Sequence, residues 1–241
     1  MVLDDFRPMR CPTWVTASEI DGWAESIAAR TLLPELIRRL VLATVERSNL
    51  ERINFPAGEE VQRRGYDGTT SAKVATTFVR QGISGWELSC DSDPRGKANQ
   101  DYKNRVDNAQ DRDLSQLAYV AVTARDWNGA ASWAAEKTAE GRFREVRAYD
   151  SNTLEHWLLD APAVGLWLAE QIGKPIQGVN DVATYWRNVL GTPQILLTNR
   201  QGTTKKLAEW LAGNSGSLAV RAASPAEVVD VFSHCRQKPM P

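Results

Sequence analysis

Apolar residues near the start of the chain recur at helical spacing and predict two helices. Ile20, Trp23 and Ile27 follow this spacing, and Thr16 with Glu19 matches the pattern of a capping box. These features predict a first helix over residues 17–30, and Pro34 is expected to begin the second. The apolar stripe of the second helix comprises Leu36, Ile37, Leu40, Val41 and Val45.

Between Ile53 and Gly96 the pattern changes from helical to extended. Three short runs, at about 52–55, 72–79 and 85–90, are separated by Gly and Asp residues and predict an antiparallel meander of three strands. A polar helix is predicted over 97–111. The apolar run Leu117–Val122 predicts a buried central strand, which we expect to lie beside the strand that carries Glu87.

The pattern then alternates between helix and strand up to about residue 172. A helix is predicted over 127–141 and a strand over 144–149, and Asn152 with Glu155 is expected to cap a further helix. Pro162 is expected to interrupt that helix. The chain is therefore predicted to be α/β, with a mixed β-sheet flanked by helices, and its Trp residues are expected to pack in the core.

The composition becomes loop-like at 173–180, which predicts two domains, residues 1–175 and residues 176–241. The second is expected to be a small βαβα segment, with strands at 194–197 and 217–221 and helices at 203–211 and from 224. So short a segment cannot cover both faces of a parallel sheet, so we expect it to pack on the first domain, on another copy or on further sequence. Self-association is therefore predicted. No Gly-rich phosphate loop occurs in the sequence, so ATP hydrolysis is not expected.

Charge and cysteine content restrict the classes of function. The formal net charge of the 241 residues is -1, so any contact with DNA must come from a local basic patch. Three cysteines and two histidines show no paired spacing, which argues against a disulfide framework and against zinc. With neither a signal-peptide pattern nor an apolar run long enough for a membrane span, the chain is expected to be cytoplasmic.

Two carboxylates and a basic helix form the candidate site. Asp67 lies in the sequence Gly-Tyr-Asp-Gly, and Glu87 lies on the next strand of the predicted hairpin, which brings the two together. Lys97, Lys103 and Arg105 follow on the polar helix. Together these residues suggest a metal ion and a phosphate. Each also has a structural alternative: Glu87 as a solvent-facing strand residue, Asp-Gly as a plain turn, and the cations as a solvated helix face.

The order of these motifs resembles the Mrr-like branch of the PD-(D/E)XK nuclease superfamily over residues 15–175. The resemblance lies in Gly-Tyr-Asp-Gly, a strand at Thr76–Val79, Gly-x-Ser-x-Trp-Glu, and Lys97-Ala98-x-x-Asp101-Tyr102-x-x-Arg105. It implies a restriction endonuclease-like fold and Mg²⁺- or Mn²⁺-dependent cleavage of DNA. Members of this branch are effector domains of bacterial antiviral proteins, often followed by a nucleotide-hydrolysing sensor, so a C-terminal NTPase region is an implied partner.

The resemblance also implies roles for individual residues. Asp67, Glu87 and the Leu88 carbonyl are the expected metal ligands, Lys97 and Ser89 join the two carboxylates as catalytic residues, and Tyr102, Lys103 and Arg105 are expected to contact DNA. The superfamily places a Lys two positions after the Glu, where this chain has Ser89, and Lys97 is the nearest substitute. The alternatives are an inactive nuclease fold that binds DNA or assembles with partners, and a protein-interaction scaffold based on the C-terminal segment.

Overall fold

A five-stranded mixed sheet organises the first part of the chain in the computed structural model, which describes residues 13–56, 65–109, 113–174 and 201–212. The strands are β1 (Leu50–Asn54), β2 (Gly68–Ala72), β3 (Gly82–Ser89), β4 (Ala118–Thr123) and β5 (Glu145–Tyr149). They lie in sequence order across the sheet. The pairs β1–β2 and β2–β3 are antiparallel, whereas β3–β4 and β4–β5 are parallel. The predicted α/β class is confirmed.

Helices cover both faces of this sheet. They are α1 (Ala17–Trp23), α2 (Ile27–Thr44), α3 (Pro94–Asp107), α4 (Ala130–Ala139), α5 (Ser151–Asp160) and α6 (Pro162–Gln171). Strand β4 is buried along its whole length, and its side chains alternate between two cores. Val120 and Val122 pack with α1, α2, α5 and α6, whereas Tyr119 and Ala121 pack with α3 and α4. The fold therefore has three layers, and the predicted position of β4 beside the strand of Glu87 is confirmed.

The middle strand of the meander differs from the prediction. It is β2, at Gly68–Ala72. Of the region predicted as a strand at 72–79, only Ala72 lies in a strand, and residues 73–79, which include Thr76–Val79 of the resemblance, form bends and irregular structure. The sequence of β2 has few apolar residues to mark it as a strand. Phe78 and Val79 are buried as core residues of a loop, and the Thr76 hydroxyl accepts a hydrogen bond from the Val79 N–H at 3.1 Å.

The break between the first two helices also differs from the prediction. Helix α1 has the predicted capping box, but it ends at Trp23, and the Ser26 hydroxyl caps α2 by accepting from the Ala29 N–H at 3.1 Å. The predicted helix over 17–30 and the predicted start at Pro34 are therefore wrong, because Pro34 lies inside α2. The start of α2 is therefore set by the Ser26 cap, and Pro34 is accommodated within the helix.

The cap of α5 is Asp150 rather than Asn152. An Asp150 carboxylate oxygen accepts from the Thr153 N–H at 2.9 Å, whereas Glu155 accepts from the Ala17 N–H at 2.8 Å and so joins α5 to the start of α1. The predicted interruption at Pro162 is confirmed, because α5 ends at Asp160 and α6 begins at Pro162.

The chain divides into two compact units, Met1–Ile176 and Gln177–Pro241. In the second unit the structure describes α7 (Gln201–Ala212), which confirms the helix predicted at 203–211. The predicted strands at 194–197 and 217–221 and the final helix lie outside the described residues. Within those residues, none of the helices has the length and apolar character needed to cross a membrane.

Candidate active site

A pocket of about 330 Å³ lies at the carboxyl end of β3. Four of the residues proposed from the sequence line it: Asp67, Leu88, Ser89 and Lys97. Helix α2 supplies a further wall with Arg30, Leu33 and Pro34, and Cys90 and Asp91 complete the lining. Burial raises the pKa of the Cys90 thiol to about 11, so this cysteine stays neutral and supplies no thiolate.

Packing of β3 fixes the direction in which its functional side chains point. Trp86 is fully buried against α1, α2, α5 and α6, and its indole N–H donates to the Thr70 hydroxyl at 3.0 Å. Successive strand residues point to opposite faces, so anchoring Trp86 in one core directs Glu87 toward the layer of α3. Glu87 is 5% exposed.

Asp67 immediately precedes β2 and lies at the same end of β3. Gly68 pairs with Trp86 in the antiparallel register, and an Asp67 carboxylate oxygen accepts from the Leu88 N–H at 2.8 Å. Gly68 is required because a Cβ there would lie 2.1 Å from the ring of Phe55. Burial raises the pKa of Asp67, and the Leu88 N–H partly opposes this rise. The structure thus brings the two carboxylate positions together.

Arg105 binds directly to Glu87. Its Nε donates to a Glu87 carboxylate oxygen, an Nη2–H donates to the Gly65 carbonyl, and its guanidinium carbon lies 4.9 Å from the centre of the Tyr66 ring. Arg105 is predicted to contact DNA, and the structure gives its guanidinium two partners within the protein, Glu87 and Gly65. It joins α3 to β3 and to the segment that leads into Asp67.

The pKa of Glu87 is raised to about 7. Burial is the largest cause, Arg105 lowers the value, and the negative charges of Asp67 and Asp101 raise it again. The ion pair therefore offsets only part of the cost of burying the carboxylate. A carboxylate that titrates near neutral pH is typical of functional sites, although structural ion pairs also perturb pKa values.

Lys97 lies in the first half of α3, where the Asp93 side chain caps the helix by accepting from the Gly96 N–H at 2.9 Å. Its Nζ donates to an Asp101 carboxylate oxygen at 2.5 Å, one helical turn further on. The positive charge of Lys97 lowers the pKa of Asp67, and the negative charge of Asp101 raises it. Both members of the pair therefore lie within electrostatic range of Asp67. Sequence reasoning did not assign Asp101 a role, although the four-residue spacing from Lys97 was a signal for this pair.

Ser89 and Leu88 have defined partners in the pocket wall. The Ser89 hydroxyl accepts from the Asp91 N–H at 2.9 Å, which leaves the hydroxyl hydrogen free to donate. The Leu88 N–H is used by Asp67, and the Leu88 side chain packs against the core formed with α1 and α2.

The two remaining predicted DNA contacts separate in the structure. Lys103 is exposed on α3. Tyr102 is 4% exposed and packs edge-on against Tyr119 and Trp133. The predicted DNA contact of Tyr102 is therefore wrong for this structure, because Tyr102 and Ala98 form the face of α3 that packs on the sheet.

Arg30 is a further pocket residue that sequence reasoning missed. It lies on α2, one turn before Leu33 and Pro34, and these three positions share a helix face. The signal that could have found it was the spacing of three and four residues from Arg30 to Leu33 and Pro34. The prediction placed a helix break between residues 30 and 34, so these residues were not assigned to one helix.

The carboxylates fit a sparsely coordinated hard cation. Among the residues that the structure describes, no group of three or more His, Cys, Asp or Glu side chains is arranged to hold a metal ion. Mg²⁺ commonly uses one or two protein carboxylates and fills its remaining positions with water and substrate phosphate. Asp67 and Glu87 each use one carboxylate oxygen in the contacts described above. Asp67 lines the pocket, whereas Glu87 is buried and does not belong to the lining.

Comparison of the chain with protein-family models, with curated proteins and with solved structures gave no match.

Proposed function

We propose that this chain is a metal-dependent endonuclease that hydrolyses phosphodiester bonds in DNA. The observation that carries the proposal is the pocket at the end of β3, where Asp67, Ser89 and Lys97 line one cavity. The buried Glu87 lies on β3, two residues before Ser89. The mixed sheet flanked by helices supports the proposal only at the level of the α/β class, which the resemblance also implies.

In this proposal Asp67 and Glu87 hold Mg²⁺ or Mn²⁺, with the Leu88 carbonyl as a further ligand. A bound divalent cation supplies a Lewis acid for the phosphate and lowers the pKa of a bound water. Lys97 places a positive charge at the pocket, where it stabilises the charge that develops on the phosphate oxygens. Ser89 donates its hydroxyl hydrogen to the attacking water or to the phosphate, and Arg105 keeps part of the Glu87 population ionised.

The resemblance extends the proposal to a biological role. Effector domains of this branch act in bacterial anti-phage defence, and we propose the same role here, with self-association or a C-terminal sensor region as the regulator. The exposed Lys103 is proposed to contact the DNA backbone, since phosphate contacts supply most of the affinity for DNA.

Two observations favour a second candidate, an inactive nuclease fold that binds DNA. Arg105 already neutralises Glu87, and Ser89 occupies the position of the superfamily lysine. A buried carboxylate that is committed to an arginine binds a cation less readily, because the cation must compete with the guanidinium.

Plasmid cleavage in Mg²⁺ or Mn²⁺ separates the two candidates. We expect nicking by the wild-type chain and a loss of at least about 100-fold in Asp67→Asn, Glu87→Gln and Lys97→Ala, as is usual when electrostatic stabilisation is removed. Lys97→Ala is expected to spare metal binding, because the cation is held by the carboxylates. Glu51→Gln is the matched control, since Glu51 is an exposed carboxylate on β1. Nicking that persists in both carboxylate variants, or a wild-type chain that does not nick, would exclude the catalytic assignment.

A further inference from the structure

Two cations line the pocket from opposite layers of the fold. Arg30 belongs to α2, which packs on one face of the sheet, and Lys97 belongs to α3, which packs on the other. Asp67 and the end of β3 lie in the lining between these two helices. The pocket therefore offers positive charge on two walls, around the carboxylates of Asp67 and Asp91.

Arg30 is the exposed residue of the pocket wall that α2 supplies. Leu33 is 1% exposed and Pro34 is buried, whereas Arg30 is exposed although it lies on the same helix face. An arginine in this position reaches from an apolar wall toward solvent, and its head group is accessible to a ligand that enters from outside.

Among the residues that the structure describes, Arg30 differs from the other cations of the site in having no paired carboxylate. Lys97 pairs with Asp101 and Arg105 pairs with Glu87. Within the described part of the chain, no carboxylate lies within 4.0 Å of the Arg30 guanidinium. A planar guanidinium with free donors is well suited to bind a phosphate through two parallel hydrogen bonds.

We propose that Arg30 binds a backbone phosphate of the DNA, so that the strand passes between α2 and α3 across the carboxyl end of β3. This inference rests on the proposed function and adds a second wall to the binding site. The pocket volume of about 330 Å³ is near the lower end of small-ligand sites, about 300–1,000 Å³, which suits a phosphate with its sugar. Arg30 and Lys97 then contact the strand from the two sides.

The test is DNA binding measured without metal, so that no cleavage takes place. Fluorescence anisotropy of a labelled DNA duplex is recorded in EDTA over a range of salt concentrations with the full chain. For Arg30→Ala we expect about tenfold weaker binding and a salt slope reduced by about one, as for the loss of one phosphate contact. Arg38→Ala is the matched control, because Arg38 is 45% exposed on the same helix and does not line the pocket. Its affinity is expected to stay within about twofold of wild type, since surface positions away from a binding site contribute little.

Two further variants sharpen the result. Arg30→Lys keeps the charge but loses the planar fork, so it should recover the salt slope and only part of the affinity. If Arg30 and Lys97 contact different phosphates, the fold-losses of Arg30→Ala and Lys97→Ala should multiply in the double variant. Equal thermal unfolding midpoints for all variants show that the fold is intact, as expected for an exposed residue.

The possible outcomes distinguish this inference from the nuclease proposal. Binding that depends on Arg30 in a chain that never cleaves DNA would remove the nuclease activity and leave Arg30 as a DNA contact. An Arg30→Ala variant that binds as tightly as Arg38→Ala, or with an unchanged salt slope, would overturn the inference. A wild-type chain that does not bind the duplex would overturn it as well.

Discussion

At the scale of single residues, two neighbours on β3 show how strand alternation divides packing from chemistry. Trp86 fills the core on one face, and Glu87 is buried beneath α3 on the other. Burial of the Trp86 side chain is favourable because it removes apolar surface from water. It also holds Glu87 away from water, because the two side chains belong to one strand. The raised pKa of Glu87 is a direct result of this arrangement.

The first prediction concerns the pH dependence of stability. The pKa of Glu87 is about 7 in the folded protein against an ordinary value of 4.5, so the folded state holds its proton more tightly than the unfolded state does. The contribution of Glu87 to stability is then fully present below about pH 4.5 and is lost as the pH rises through about 7, by on the order of 1–3 kcal/mol. Urea unfolding in EDTA between pH 4.5 and 8 measures this change.

Glu87→Gln should flatten this pH dependence, because the variant has no carboxyl group to titrate at this position. Glu51→Gln should retain the wild-type slope, since its carboxylate is exposed. If the free energies of unfolding of Glu87→Gln and Glu51→Gln decline equally with rising pH, the raised pKa belongs to another group.

The sequence was sufficient to predict that Asp67 and Glu87 meet, because hairpin order and strand alternation determine which residues are neighbours. It did not give the partner of Arg105 or the burial of Tyr102. Both depend on how α3 is rotated about its axis, and tertiary packing sets this rotation. Only Ala98 and Tyr102 of α3 are buried, so the helix has too narrow an apolar stripe to reveal its inner face.

At the scale of elements, side-chain caps define where helices begin. Ser26, Asp93 and Asp150 each accept a hydrogen bond from a backbone N–H of the first turn of their helix. Asp93 has a direct consequence for the site, because it fixes the start of the helix that carries Lys97.

The second prediction compares Asp150 with Asn152 as the cap of α5. Asp150 is 8% exposed and accepts from both the N–H and the hydroxyl of Thr153. Asp150→Ala is expected to lower the free energy of unfolding by about 1–2 kcal/mol, the usual cost of losing a cap. Asn152→Ala, at the position favoured by the sequence pattern, should cost less than about 0.5 kcal/mol, because Asn152 is an exposed residue that, within the described part of the chain, donates only to the Asp126 and Asp150 carboxylates and caps no backbone N–H. Chemical denaturation measures both, and the reverse order would place the cap at Asn152.

Element type was predictable wherever the apolar period was long, as in α2, β4 and α4. The exception was β2, in which the buried side of the strand includes Gly68 and Thr70. Thr70 is buried because it accepts a hydrogen bond from Trp86, and a pattern based on hydrophobicity does not register such a position. Phe78 and Val79 produced the opposite error, because they are apolar residues of a loop that packs in the core.

At the scale of the whole molecule, the chain comprises a three-layer unit and a second unit that begins at Gln177. The layer order follows from the sequence pattern, because parallel strands require helical crossovers and these crossovers cover the faces of the sheet. The size of the second unit is the basis for predicting that it needs a partner surface.

The third prediction is that the full chain self-associates and that deletion of residues after 176 weakens this association. The physical reason is that a segment of this size buries too little apolar surface alone and gains stability by covering it against another copy. Sedimentation velocity over a wide concentration range measures the association for the full chain and for the truncated chain. Circular dichroism of the truncated chain shows whether the first unit keeps its fold. A full chain that stays monomeric at every concentration would contradict the prediction.

The pocket draws its lining from one continuous portion of the sequence. The described residues that form its walls all lie between Arg30 and Lys97. Strands β4 and β5 and helices α4, α5 and α6 follow this portion and supply support without touching the cavity. The proposed recognition surface and the supporting scaffold thus come from different portions of the chain. Changes after α3 can adjust stability while the proposed recognition surface is kept. Exchange of residues 27–107, which run from the start of α2 to the end of α3 and include Asp101, Lys103 and Arg105, would transfer the proposed binding site as a block.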